Sequence, residues 1–134
     1  MRLAFVGFGS VGRRFAHRLG GAYREVLHRA RVEPLVTGIC TARHGAAIDP
    51  AGLELARCLR RVGAGGSLSD FNRDAPIADV RAFIERVPAD VLFEITPLEP
   101  RTGEPAISHV AAALRRGLHV VTAKRDRWPS PAAA

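Results

Sequence analysis

The feature that most constrains this chain is a glycine-rich segment, Gly7-Phe8-Gly9-Ser10-Val11-Gly12, which lies between a short apolar run and a long amphipathic stretch. Residues 2–7 are mostly apolar and end in glycine, as a buried parallel strand does. From residue 11 to residue 30, apolar residues recur every three or four positions, which predicts a helix. A G-x-G-x-x-G string that follows a strand and opens a helix is typical of the phosphate-binding turn in a strand, helix, strand unit.

The rest of the sequence continues this alternation of strands and helices. Gly20-Gly21 weakens the middle of the long helical stretch and predicts a kink or a break there. The pattern predicts further strands at 35–41, 91–95 and 119–122, and helices at 52–61, at 77–86 and from Pro105 to a cap at Gly117. Four strands alternating with helices predict a Rossmann-type α/β domain with a mostly parallel sheet and flanking helices, incomplete at the C-terminus.

Length and composition indicate one globular domain, because 134 residues that are 47% hydrophobic can bury a core. A membrane span needs about 20 consecutive apolar residues, and charges or glycines interrupt every apolar run before that length. No signal peptide is indicated. We therefore expect a cytoplasmic protein without a membrane partner. Cys40 and Cys58 are too few for a disulfide framework, and the five histidines lack metal-ligand spacing. We expect buried thiols and no metal site.

The net charge of +7 raises the question of a nucleic-acid partner. Nineteen of the twenty basic residues are arginines, and they are scattered along the chain rather than gathered in one patch. Scattered arginines are more typical of solvated helix faces. We therefore expect no nucleic-acid partner.

The glycine-rich segment predicts a site for the pyrophosphate of a dinucleotide. Gly7 permits the tight turn, Gly9 lets the pyrophosphate approach the backbone, and Gly12 lets the helix pack closely on the strand. The helix N-terminus adds unpaired N–H groups and a partial positive charge. We expect all six residues to form the cofactor site, including Phe8, Ser10 and Val11. The alternative is a glycine-rich turn that binds no ligand.

The end of the second predicted strand bears on the choice between NADP and NAD. NAD-selective sites place an acidic residue there against the ribose hydroxyls, and this chain has none. It has Arg43 and His44 instead, and either side chain could pair with a 2′-phosphate. The pattern favours NADP, with NAD as the alternative, unless Arg43 and His44 are ordinary loop residues.

Four segments of the chain resemble the NAD(P)-binding domain of homoserine dehydrogenases, and they lie at 6–15, 38–49, 91–98 and 119–123. The resemblance covers nearly all of residues 1–123. It implies that the full-length family member interconverts aspartate semialdehyde and homoserine with NADPH or NADH. It also implies that Thr96-Pro97 lies beside the nicotinamide half of the cofactor, and it adds Thr122 and Ala123 to the cofactor-binding residues.

The resemblance stops after residue 123, where the family reads T-A-N-K-x-P and this chain reads Thr-Ala-Lys-Arg-Asp-Arg-Trp-Pro-Ser-Pro over residues 122–131. A family-like stretch A-N-K-G-P-V-A-L-A can be encoded so that loss of one base yields residues 123–131. The only tryptophan and the only lysine also fall in this tail. We therefore hypothesise a one-base deletion or sequencing error; the alternative is a natural, unstructured tail.

These observations predict a dinucleotide-binding domain over residues 1–123 and an irregular tail over 124–134. The family's catalytic domain, with the lysine and aspartate credited with proton transfer, is expected to be absent. We therefore assign no catalytic residue and expect the chain to bind NADP(H) with little or no catalysis alone. The alternative function is a non-catalytic nucleotide-sensing or interaction module. A homo-oligomer or a separately encoded catalytic chain is a possible partner.

Overall fold

A computed structural model describes residues 1–96, 99 and 101–122 of the chain. Its elements, in chain order, are β1 (Arg2–Val6), α1 (Ser10–Gly20), α2 (Arg24–Arg29), β2 (Leu35–Cys40), β3 (Ala46–Ile48), α3 (Leu55–Gly63), a 3₁₀ helix (Leu68–Phe71), α4 (Val80–Arg86), β4 (Val91–Glu94), α5 (Ala106–Arg115) and β5 (His119–Thr122). The predictions for Pro97, for Ala123 and for the tail at 124–134 lie outside the described residues.

The strands form one sheet in the order β3-β2-β1-β4-β5. β1 is central and pairs in parallel with β2 and β4, and β4 pairs in parallel with β5. The chain therefore builds one half of the sheet on one side of β1 and then crosses to the other side. This arrangement confirms the predicted Rossmann-type, mostly parallel sheet with flanking helices.

A strand that the sequence did not predict, β3, lies at one edge of the sheet and pairs antiparallel with β2. It has only three residues, so its periodicity carries no signal. Gly45, at a φ of 70°, allows the tight return from β2, and the N–H of Thr41 donates to the carbonyl of Gly45 at 3.0 Å. A left-handed φ of this kind favours glycine over other residues.

Apolar side chains are buried on both faces of the sheet, as a parallel sheet requires. Successive residues of β1 alternate between the faces: Leu3 and Phe5 belong to one core cluster, and Ala4 and Val6 belong to the other. α1 and α3 contact each other over the first cluster, and α4 and α5 contact each other over the second.

The long helical stretch breaks at the glycine pair, as predicted. α1 ends at Gly20 and α2 begins at Arg24. The single apolar face that the spacing predicts out to residue 30 is wrong for the second part, because Val26 is 63% exposed whereas Leu27 packs against the core. The turn between the two helices changes the orientation of α2, so the apolar face of α1 does not continue into α2.

Two helices begin three residues later than predicted, for local reasons. Gly52 occupies a turn at a φ of 105° against Leu35, and α3 therefore begins only at Leu55. α4 begins at Val80 because the carboxylate of Asp79 accepts a hydrogen bond from the N–H of Ala82 at 2.7 Å, which makes Asp79 the N-cap.

The remaining structural expectations concern the cysteines, a metal site and membrane-spanning helices. Both cysteines are buried, and burial raises the pKa of each thiol to about 11. Among the described residues, no group of three or more histidine, cysteine, aspartate or glutamate side chains could hold a metal ion. In the same residues, none of the helices has the length and hydropathy that crossing a membrane requires.

Candidate functional site

The three glycines of the turn after β1 have three different surroundings. A Cβ on Gly7 would lie 2.8 Å from the backbone carbonyl of Ile95, and a Cβ on Gly12 would lie 3.0 Å from the carbonyl oxygen of Gly7. A Cβ on Gly9 would have no atom within 4 Å. Gly7 and Gly12 are therefore fixed by packing within the protein, whereas Gly9 borders open space that a ligand can occupy.

The ends of three parallel strands meet at Gly7. Its N–H donates to the carbonyl of Cys40 at the end of β2, at 2.8 Å. The N–H of Ile95, just after β4, donates to the carbonyl of Val6 at the same distance. The order of strands reverses at β1, and ligands of doubly wound proteins bind in the crevice outside the carboxyl ends of the strands at such a point.

Helix α1 begins at this crevice without a side-chain cap. Gly9 is the N-cap residue, and within the described part of the chain no side chain caps the N–H groups of the first turn and no acidic residue lies in it. The first helical bond runs from the N–H of Arg13 to the carbonyl of Gly9, at 2.9 Å. The N–H groups before Arg13 therefore lack helical acceptors and present a partial positive charge to an anion.

The residues between the glycines differ in what they can offer to a ligand. Ser10 and Val11 are the first two residues of α1, and both are exposed, Val11 by 50%. The side chain of Phe8 is only 4% exposed, and its ring packs edge-on against Phe5 with the ring centroids 5.9 Å apart. The side chain of Phe8 therefore anchors the turn in the core, and only the backbone of Phe8 is left to contact a ligand.

The loop after β2 separates the roles of the two predicted selectivity residues. The N–H of His44 donates to the hydroxyl of Thr41 at 2.7 Å, and Nδ1 of His44 lies 3.1 Å from the carbonyl oxygen of Gly66. The carbonyl of His44 also accepts from the N–H of Leu68 at 2.7 Å. His44 is thus fastened to the protein. Arg43 is exposed and, within the described residues, its side chain has no hydrogen bond or ion pair.

The end of β4 carries a buried carboxylate that the sequence reading missed. Glu94 has no exposed surface, and it accepts hydrogen bonds from the N–H of Thr96 at 2.8 Å and from the hydroxyl of Thr96. His109 of α5 contacts the second carboxylate oxygen through Nδ1, at 2.6 Å. Burial acts to raise the pKa of Glu94, but the hydrogen bonds from His109 and Thr96 outweigh it and hold the pKa below 4.5.

A signal for this group was present in the sequence. Glu94 interrupts an otherwise apolar strand, and a carboxylate buried in a sheet needs a partner. His109 lies on the next helix, beside apolar positions, where a histidine is available for that role. The sequence does not show the strand pairing that brings the end of β4 against α5, and the pair could not be predicted without it.

The structure brings most of the predicted site residues to one edge of the sheet. Residues 7–12 follow β1, Arg43 and His44 follow β2, and Thr96 follows β4. Thr122 ends β5 and is paired with Glu94 in the sheet register, one strand farther from the glycine turn.

A separate groove lies at the opposite edge of the sheet. It has a volume of about 830 Å³ and lies between the end of α1, helix α2 and the start of β2, with Gly20, Gly21 and Leu35 among its lining residues. It shares no lining residue with the glycine turn, so the groove and the crevice at the strand ends are separate features.

No protein-family model matches the chain. A homoserine dehydrogenase from Methanocaldococcus jannaschii is 34% identical over an alignment of 128 residues, which covers 93% of this chain and 37% of that protein. An NAD(+)-dependent homoserine dehydrogenase from Pseudomonas canavaninivorans is 30% identical over 124 residues, which are 92% of this chain and 35% of that protein.

Solved structures with a similar fold also include proteins described as homoserine dehydrogenases. An Archaeoglobus fulgidus protein assigned as a homoserine dehydrogenase has a TM-score of 0.71 at 27% identity, over 92% of this chain and 34% of that one. A hyperthermophilic archaeal homoserine dehydrogenase mutant in complex with NADPH has a TM-score of 0.65 at 20% identity, over 92% of this chain and 35% of that one. The chain spans about a third of the length of the relatives it matches. Over nearly its whole length the chain is therefore similar to homoserine dehydrogenases, and the match fits their N-terminal domain.

Proposed function

We propose that this chain binds a nicotinamide dinucleotide at the carboxyl edge of its sheet, with the pyrophosphate on the N–H groups at the start of α1. The observation that carries the proposal is the open space at Gly9 beside an uncapped helix N-terminus, at the point where the strand order reverses. The NADPH complex of the archaeal relative and the NAD(+) dependence of the Pseudomonas relative support a cofactor of this class.

The two halves of the dinucleotide would lie on opposite sides of β1. The loop after β2 is where such domains bind the adenosine ribose, so the adenosine half would lie over Arg43. The nicotinamide half would then lie over the end of β4, beside Thr96 and Pro97. Thr122 and Ala123 would border the same half from the end of β5.

NADP(H) is the proposed preference over NAD(H). The loop after β2 has no acidic residue between Thr41 and Gly45 to bind a free ribose 2′-hydroxyl. The side chain of Arg43 is exposed and uncommitted among the described residues, so it can turn to a 2′-phosphate without breaking a bond. His44 is already bonded to the loop at Gly66, and we assign it the role of holding Arg43 in place.

The proposed reaction class is the interconversion of aspartate semialdehyde and homoserine, for which this domain would supply the cofactor. Hydride transfer also needs a substrate held against the nicotinamide in a reactive geometry. We assign that task to residues other than those at the crevice, and we expect the 134-residue chain alone to bind cofactor without oxidising homoserine at a useful rate.

Calorimetric titration with NADPH and NADH tests the proposal. Gly9→Val should abolish binding because a branched side chain fills the space that the pyrophosphate needs, while the domain stays folded. Gly63→Val is the matched control, since a Cβ on Gly63 also has no atom within 4 Å but lies at the end of α3, away from the crevice. Equal affinities for the wild-type chain and Gly9→Val would refute the proposed site.

Adding homoserine distinguishes the proposed oxidoreductase function from the alternative, a nucleotide-sensing module. Both functions require cofactor binding, but a sensing module would show no hydride transfer in any complex. NADP-dependent oxidation of homoserine by this chain in the presence of a catalytic partner would decide for the oxidoreductase.

A further inference from the structure

Glu94 and His109 form a buried acid–histidine pair at the edge of the sheet where the proposed cofactor site lies. The carboxylate of Glu94 is fully buried, and the side chain of His109 is 13% exposed. An ionised carboxylate only accepts hydrogen bonds, so His109 donates to it through Nδ1. The pair therefore joins the last residue of β4 to the middle of α5.

The pair fixes one residue in both its backbone and its side chain. Thr96 donates its N–H and its hydroxyl to the same carboxylate oxygen of Glu94. On the other side, the backbone of Ile95 and Thr96 lies so close to Gly7 that a Cβ there would be 2.8 to 2.9 Å from it. The end of β4 is thus held between α5 and the phosphate turn.

Stability alone does not require such a pair. A buried ion pair can often be replaced by apolar residues of similar volume at no loss of stability. The pair here lies at the carboxyl end of β4, and the residue that it orients, Thr96, is half-buried and follows that strand at the edge of the sheet where the cofactor site is proposed. Since the adenosine half is proposed over β2, the half on the β4 side is the one that contains the reactive ring.

We propose that Glu94 and His109 are positioning residues that hold Thr96 in place for the nicotinamide half of the cofactor. This inference rests on the proposed function, because it assumes that a dinucleotide occupies the crevice. It assigns the pair an effect on the nicotinamide end and none on the adenosine end. A purely structural pair would affect both ends equally.

The test compares each dinucleotide with the same molecule lacking nicotinamide: NADPH with 2′-phospho-ADP-ribose, and NADH with ADP-ribose. The double variant Glu94→Leu with His109→Leu removes the pair without leaving a buried charge unpaired. It should bind the dinucleotide about 3- to 10-fold more weakly, the cost of ordering one or two residues on binding. Its affinity for the nicotinamide-free ligand should not change.

Two further variants keep the test independent of the folding of the double variant. Thr96→Val keeps the branched shape but removes the hydroxyl, and it should show the same selective loss at smaller size. His109→Asn keeps an N–H donor in the place of Nδ1 and should retain wild-type affinity. Glu85→Gln is the control, because Glu85 forms an exposed ion pair with Arg81 on α4.

The outcomes distinguish this inference from the proposed function. A loss confined to the dinucleotides supports the inference. Equal losses for both ligands, no loss in any variant, or equal affinity of the wild-type chain for the ligands with and without nicotinamide would overturn it, and each result leaves the proposed function intact. Failure of the wild-type chain to bind any of the four ligands would overturn both.

Discussion

Alanine at Gly7 and alanine at Gly9 should separate folding from binding, although the two glycines are only two positions apart. Gly7 has a φ of 95°, and its Cβ would lie within 2.9 Å of three backbone atoms of Ile95 and Thr96. Backbone atoms cannot rotate away as a side chain can, so β4 would have to move away from β1. At Gly9 the backbone is in an ordinary extended conformation and the added methyl group meets nothing.

The expected cost at Gly7 follows from these two terms. A non-glycine residue in a rare backbone conformation costs about 1–3 kcal/mol, and crowding in a packed region costs about 1–3 kcal/mol. The free energy of unfolding should therefore fall by roughly 2–6 kcal/mol in Gly7→Ala. That is a large part of the about 5–15 kcal/mol that holds a typical domain together.

Urea denaturation followed by circular dichroism measures the difference directly. The free energy of unfolding of Gly9→Ala should equal that of the wild type within about 0.5 kcal/mol, while its NADPH affinity falls. Gly7→Ala should unfold at a clearly lower urea concentration. Equal midpoints for the two variants would refute the tight contact between the glycine turn and the end of β4.

Four other outcomes are expected. Arg43→Ala should weaken NADPH binding by about 1.5–3 kcal/mol, the range for hydrogen bonds to charged groups, and leave NADH binding unchanged in calorimetry. Because the folded pKa of Glu94 is lowered, its stabilising effect is present above pH 4.5 and is lost as the pH falls through the lowered value; Glu94→Gln should therefore lose less stability than wild type as the pH falls below 4.5 in urea denaturation. Gly38→Ala should destabilise by about 1–3 kcal/mol, because its Cβ would lie 2.5 Å from Cγ2 of Val87, whereas Gly20→Ala, with open space around it, should stabilise by about 0.5–1 kcal/mol in thermal denaturation. If residues 123–131 arose by a one-base change of frame, inserting one base near codon 124 should open a reading frame that continues into family-like sequence, and stop codons within a few residues in all three phases would reject that hypothesis.

Local sequence was enough to predict the elements whose signals are local. The apolar run before Gly7 and the glycines after it determine β1 and the phosphate turn, because each glycine answers a backbone requirement within a few residues. The break at Gly20-Gly21 and the C-terminal cap at Gly117, which has a φ of 83°, are of the same kind. Strand β5 follows that cap at once, as its apolar residues predict.

Elements that depend on distant contacts could not be predicted in this way. β3 exists because Ala46–Ile48 pairs with β2, not because three residues prefer a strand. The side chain of His44 is committed by the carbonyl of Gly66, 22 positions away, and Glu94 is paired by His109, 15 positions away. Sequence spacing contains no information on such contacts until the topology is known.

An NMR titration of the ¹⁵N-labelled chain with NADPH tests most directly whether a dinucleotide binds at the glycine turn. We predict that the amide signals of Gly9, Ser10, Val11 and Gly12 shift most, because their N–H groups would donate to the pyrophosphate, and that the signals of Gly20 and Gly21 stay in place. Shifts confined to the groove around Gly20, Gly21 and Leu35, with the glycine turn unaffected, would contradict it.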